Sequence, residues 1–140
     1  DALTQQIEKL SHLIGVFKRE PREGSEVIDQ EYLILLSIKA LLDSRDVPTW
    51  FKSPSGNMLY INPAYEKAYN ILAEDYAGKT DKEIWLEDKT AYQFKSNDNL
   101  AMSEGKAITA DEIVNGKTVR VRKWPVYISD KLIGVAGEVL

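Results

Sequence analysis

Two two-residue connections near the C-terminus, Asn115-Gly116 and Ser129-Asp130, constrain this chain more than any other feature. They separate three strand-like runs: Ile108 to Val114, Thr118 to Ile128 and Lys131 to Val139. A two-residue loop between such runs closes a tight hairpin, and Asn-Gly is the pair that best adopts the type I′ turn. A three-stranded antiparallel meander is therefore predicted to end the chain. Two shorter strands, Thr49 to Lys52 and Met58 to Ile61, are expected on either side of Ser53-Pro54-Ser55-Gly56-Asn57, a run of turn-forming residues. Between these strands and the meander come helix signals. Asn62-Pro63 supplies an N-cap and a first-turn proline, predicting a helix to about Leu72. Thr80-Asp81-Lys82-Glu83 is a capping-box pattern opening a short helix through Ile84 and Trp85. Asp88 to Glu104 reads as the longest helix of this part, ended by Gly105. This order specifies an α+β fold: one five-stranded antiparallel sheet with helices across one face.

Residues 1–46 read as a separate N-terminal helical segment and 47–140 as the sheet-bearing domain. Leu3, Ile7, Leu10, Ile14 and Phe17 are spaced four, three, four, three, a heptad stripe on one helix. The stripe must bury against something, either its own domain or the same stripe of a second copy. His12 falls off it and is expected to be solvated. Residues 18–25, with Pro21 and Gly24 among dense charge, form a linker, and Ser25 can cap the next helix. From Val27 to about Asp43 the pattern is apolar on most faces. That helix is expected to lie against the outer face of the sheet on one side and another subunit on the other. The chain opens at Asp1, so a fragment or a processed product is expected.

Composition narrows the chemistry. A net charge of −4, without a basic stripe, argues against direct nucleic-acid binding. No apolar run reaches the roughly 18–20 residues of a membrane span, so this segment is placed in the cytoplasm, with an anchor outside it left open. Cysteine is absent and His12 is the one histidine. Disulfides, thiolate zinc sites, cysteine nucleophiles and a serine-histidine-aspartate triad within the domain all fall away. No phosphate-binding glycine loop is present. Asp81, Glu83, Glu87 and Asp88 sit near helix starts, where the helix dipole accounts for them. Neither a metal site nor a catalytic constellation is expected, and an enzyme is the least favoured class.

Several local strings, in this order and spacing, resemble the Per-Arnt-Sim (PAS) family over residues 47–140. They are Gly56 with Tyr60-Ile61-Asn62-Pro63-Ala64-Tyr65, then Gly78-Lys79-Thr80-Asp81, Phe94 to Gly105, Lys123-Trp124-Pro125-Val126, and Gly134-Val135-Ala136-Gly137. Two positions depart from the family pattern. Ser53 stands where an acidic residue is common, and Asn70 where the first helix often ends in glycine; asparagine tolerates the left-handed backbone such an end needs. The resemblance implies a cup of sheet and helices that holds a small molecule. It implies a homodimer formed through a preceding helix, and a signal passed to an attached or separate output domain, as in transcription regulation or two-component systems. Of the cofactors such domains use, cysteine-linked flavin and cysteine-attached chromophores are excluded. Haem is disfavoured, because His12 lies outside the domain and Met58 and Met102 are expected in the core. Non-covalent flavin stays open, as does a small metabolite.

Within the last hairpins, the run Thr118 to Ile128 gathers Val119, Val121, Lys123 and Pro125 on one side and Arg120, Arg122, Trp124 and Val126 on the other. If the valines face the core, so does Lys123, unless it snorkels to the rim. A buried lysine there would favour an acceptor on the ligand, such as a carboxylate or carbonyl. By resemblance Phe94 walls the pocket. The candidate ligand-binding set is Tyr60, Tyr69, Trp85, Phe94, Val121 and Lys123, with ordinary core packing the competing account for the four aromatics. Trp124, on the outer side, joins Leu3, Ile7, Leu10, Ile14 and Phe17 as candidate dimer interface. A ligand-sensing module is the leading function. A ligand-free dimerisation or docking module, its cup filled by large side chains, is the alternative.

Overall fold

A computed structural model describes residues 26–140. It begins with α1 (Glu26–Asp43), followed by β1 (Thr49–Lys52) and β2 (Met58–Ile61). Four helices come next: α2 (Pro63–Tyr69), α3 (Ala73–Tyr76), α4 (Asp81–Ile84) and α5 (Asp88–Glu104). The meander β3 (Ile108–Val114), β4 (Lys117–Ile128) and β5 (Lys131–Val139) closes the fold. The five strands form one sheet in the order β2-β1-β5-β4-β3, every pair antiparallel. Both terminal hairpins turn where the sequence places them. Asn115 and Gly116 take φ of 52° and 78°, and Ser129 and Asp130 take 45° and 64°, positive at both central positions as a type I′ turn requires.

Asn62 caps α2 by accepting from the Tyr65 N–H at 3.1 Å, and Asn70 ends it in the left-handed region at φ 54°. The single-turn helix α3 is not foreseen from the sequence. The Glu66 carboxylate fixes its first residue by accepting from the Ala73 N–H at 2.7 Å, and its last residue, Tyr76, is fully buried.

The core lies between the inner sheet face and the helices. Trp50, Met58, Ile61, Tyr65, Tyr76, Trp85, Phe94, Val114 and Val121 form one buried cluster. Its aromatic rings meet edge-to-face in a chain from Trp50 through Tyr65, Tyr69 and Trp85 to Phe94, with centroids 4.8–5.8 Å apart, the geometry their quadrupoles favour. Gly137 is demanded by this packing, since a Cβ there would stand 2.3 Å from the Trp50 ring.

The helix expected from Val27 to Asp43 is present as α1, but it does not lie along the sheet. Every residue from 29 to 43 is exposed or half-buried, and among the described residues no strand or helix packs extensively along it. Its ties to the domain run through its end: Tyr60 donates to Asp43 at 2.5 Å and Asn62 to the Leu42 carbonyl at 3.3 Å, while Arg45, just beyond, pairs with Glu138 at 2.7 Å. The outer face of β3 and β4 offers little seat for an apolar helix, since Thr109 and Asp111 pair there with Arg122 and Arg120. The expected first helix with its stripe (Leu3, Ile7, Leu10, Ile14, Phe17), His12 and the 18–25 linker lie outside the described residues.

Candidate functional site

The inner face carries a chain of buried charges. On β4 the alternation turns Val121 and Lys123 toward the helices, and both are buried. On β1, Lys52 opposes Val135 of β5 and follows a register shift against β2. On β3, Glu112 stands between Ala110 and Val114 on the inward side. Helix α5 supplies Asp98 from its buried stripe of Ala91, Phe94, Asp98 and Ala101, and α4 supplies Asp81 at its first turn.

These five meet. The Lys52 ammonium lies 2.6 Å from Asp81 and 2.8 Å from Asp98. Lys123 lies 2.9 Å from Asp98 and 2.7 Å from Glu112, and also donates to the Phe94 carbonyl at 3.3 Å. Neutral donors extend the chain at both ends. Tyr76 donates to Asp81 and accepts from the Trp85 indole N–H at 2.9 Å, and Asn97 donates to Glu112 at 3.0 Å. The two ammonium groups stand 5.5 and 5.4 Å from the Phe94 ring centroid, within cation–π range.

Electrostatics follow from this contact set. Burial alone would pull the Lys52 pKa down, but attraction to Asp98 and Asp81 outweighs it and raises it above the usual value. Burial would raise the Asp98 carboxyl, but Lys52 and Lys123 hold it below its usual value. Burial, then the neighbouring Tyr65 and Asp81, push the Tyr76 hydroxyl far up, so it stays a donor.

Beside the cluster is a cavity of about 20 Å³, lined by Trp50, Lys52, Tyr65, Tyr69, Trp85, Phe94, Glu112, Val114, Val121 and Lys123. That is space for one water-sized group. On the other side a groove of about 640 Å³ runs between the Ser53–Gly56 turn, α4 and α5, and Asp81 and Asp98 line it too. The ion pairs thus stand between the groove and the inner cavity. Five of the sequence-derived candidates, Tyr69, Trp85, Phe94, Val121 and Lys123, come together around the cavity. Tyr60 does not: it opposes Phe51 in the sheet and turns its hydroxyl to Asp43. Trp124 sits half-buried on the other face of β4 from Lys123, with the Arg122 guanidinium 4.6 Å from its ring centroid. Met58 is core and Met102 lines the groove.

The residues missed were Lys52, Asp81, Asp98 and Glu112. The signal for Glu112 was its place between Ala110 and Val114 in an alternating strand, and for Asp98 its place in the helical stripe. Among the described residues no group of His, Asp or Glu side chains is arranged to hold a metal ion, and no helix is long and apolar enough to cross a membrane. The arrangement is a small space with aromatic walls on which Lys52, Glu112 and Lys123 converge.

A family model described as PAS fold matches residues 42–137. The chain belongs to the PAS-fold family. Among solved structures it is similar to the PAS domain of Bordetella pertussis BvgS, with 23% identity over 76% of this chain and 85% of that one, TM-score 0.63. It is also similar to VqmA bound to DPO, with 21% identity over 75% of this chain and 56% of that one, TM-score 0.60. A third is the PAS domain of histidine kinase ThkA, with 15% identity over 68% of this chain and 98% of that one, TM-score 0.58. At these identities the likeness is one of fold. No curated protein matches the chain. The PAS architecture accounts for the five-stranded order, and the match begins at the end of α1, where Leu42 and Asp43 join the domain.

Proposed function

We propose that this PAS domain is a non-enzymatic sensory module that takes a small organic molecule in the cup and reports its occupancy through α1. The supporting observation is the cavity itself: five aromatic rings enclose a space whose floor holds Lys52, Glu112 and Lys123. Apolar walls with few convergent polar groups are the common form of a small-molecule site. A solved neighbour, VqmA, is seen bound to DPO. The present cavity admits one water-sized group, so a larger ligand must part the wall, and half-buried Tyr69 is its least enclosed aromatic. The route to α1 is short. Strand β1 carries Trp50 and Lys52 toward the cup, while Tyr60 of the adjoining β2 and Asn62 just after it reach Asp43 and Leu42. A ligand that prefers one arrangement of these strands shifts the population of helix positions. A homodimer through the N-terminal helices and an attached or separate output domain complete this reading. A small metabolite is the favoured occupant and non-covalent flavin the cofactor left open.

The second reading is a ligand-free dimerisation or docking module, and the small cavity volume favours it. Native mass spectrometry with an absorbance scan separates the two. Extra mass per subunit, lost on denaturation, supports the sensory module, and visible absorbance would make the occupant a chromophore such as flavin. A bare mass, together with no thermal stabilisation by any member of a metabolite library, sinks it in favour of the solid cup.

A further inference from the structure

The cup contains two ammonium groups and three carboxylates in one connected chain, so it is one positive charge short. Both lysines are already engaged by carboxylates within 3 Å, so an acidic ligand would add to an existing excess of negative charge. Glu112, only 2% exposed, is the carboxylate that lines the cavity. Among the described residues its two polar contacts, from Lys123 and Asn97, both fall on Oε2. Its Oε1 is the acceptor left for whatever enters. The rest of the wall is Trp50, Tyr65, Tyr69, Trp85 and Phe94, whose ring faces attract cations. An unbalanced buried anion is costly, and a cation placed beside it offsets that cost.

From this geometry we infer that the cup selects a small protonated amine or amidine, its cationic head donating to Glu112 Oε1 and its carbon body lying among the aromatic rings. The inference rests on the reading of the cup as a ligand site and specifies the charge of its occupant. It reverses the expectation, drawn from Lys123 alone, that the ligand presents a carboxylate or carbonyl. The present cavity fits an ammonium-sized head, and an attached ring requires outward displacement of the wall.

The test compares isosteric probes on the intact chain at fixed ionic strength: methylammonium, benzylammonium, benzyl alcohol and benzoate, read by thermal unfolding and by native mass spectrometry. Benzylammonium at saturation is expected to raise Tm by roughly 4 °C or more and to add its mass, while benzoate does neither. In Glu112→Gln, which removes the charge deficit but keeps the side-chain shape, the amine shift is expected to vanish. Binding of benzoate in preference to benzylammonium overturns the charge assignment while leaving the ligand-binding reading intact. An equal amine shift in Glu112→Gln also overturns it, by placing the amine elsewhere. Absence of any response to all four probes overturns the assignment whatever becomes of the variant. With a bare native mass and no response to the metabolite library, it takes the ligand-site reading down with it.

Discussion

Asp98 is the residue on which the buried cluster turns, since one carboxylate serves both lysines, Lys52 through Oδ2 and Lys123 through Oδ1. Removing one partner of a buried ion pair strands the other in a low-dielectric interior, which costs more than the intact pair contributes. Asp98→Ala is therefore expected to lower unfolding free energy by about 3–5 kcal/mol, measured by urea denaturation; a loss under about 1 kcal/mol would mean that water reaches the lysines and screens them. The same contacts set a pH profile. The folded Asp98 carboxyl has a depressed pKa, so its stabilisation is present above the unfolded value near 3.8 and lost as pH falls through the folded one. Lys52 has a raised pKa, so its contribution is complete below 10.5 and lost as pH rises through the folded value. Stability should be flat at neutral pH and decline on both flanks, with the acid flank shallower in Asp98→Ala. An unchanged acid flank in that variant would assign acid unfolding to other carboxylates. Lys123 was legible in the sequence because strand alternation put it beside Val121. Asp98 and Glu112 obeyed the same periodic rules, yet a charge inside an apolar period reads as an interruption of it. Lys52 was harder: it keeps the two-residue period, lining the cavity with Trp50, but a four-residue strand is too short to display that alternation.

At the scale of elements, strand and helix order was almost wholly legible, because hairpin turns, caps and the change of period are local signals. The exception, α3, is one turn of helix, too short to show a period, and its start depends on Glu66 seven residues earlier. The seating of α1 was not legible, since nothing in an apolar helix states which surface will cover it. Its attachment depends instead on two polar side chains. Asn62, fully buried, accepts from the Thr49 and Tyr65 N–H groups and donates to the Val47 and Leu42 carbonyls. It thus joins α1, β1 and α2 at one point. Asn62→Ala removes a helix cap and leaves buried backbone groups unpaired, an expected cost of roughly 2–4 kcal/mol in global stability. Tyr60→Phe removes only the hydroxyl that donates to Asp43. Its expected cost is about 1 kcal/mol, seen as faster amide exchange in the last turn of α1 with the sheet unchanged. Faster exchange throughout the sheet in Tyr60→Phe would show that α1 supports the domain rather than hanging from it.

For the whole molecule, the question is what meets α1. Leu33, Ile34, Ile38 and Leu41 are 51–69% exposed, more than a helix in water ordinarily leaves uncovered. Ile34, Ile38 and Leu41 are spaced four and three, the interval at which two copies of one helix interlock. A homodimer through α1 is therefore expected in sedimentation, with Ile34→Asp/Ile38→Asp giving monomers whose cup still binds ligand. A monomeric wild-type chain, or a dimer indifferent to the double variant, would remove α1 as the interface. If the cup and that interface are coupled, linkage makes the effect reciprocal: a cup ligand must change the dimer dissociation constant by the factor that dimerisation changes its own affinity. Such a coupling would run through Tyr60 of β2 and Asn62 just beyond it, which hold the end of α1 beside β1, the strand that carries Trp50 and Lys52. Tyr60→Phe should thus leave both ligand affinity of the monomer and dimer assembly without ligand nearly unchanged, yet shrink the factor by which each alters the other. Equal factors in wild type and Tyr60→Phe would place the relay elsewhere in the sheet, whereas a factor of one in wild type would mean that cup and helix act independently.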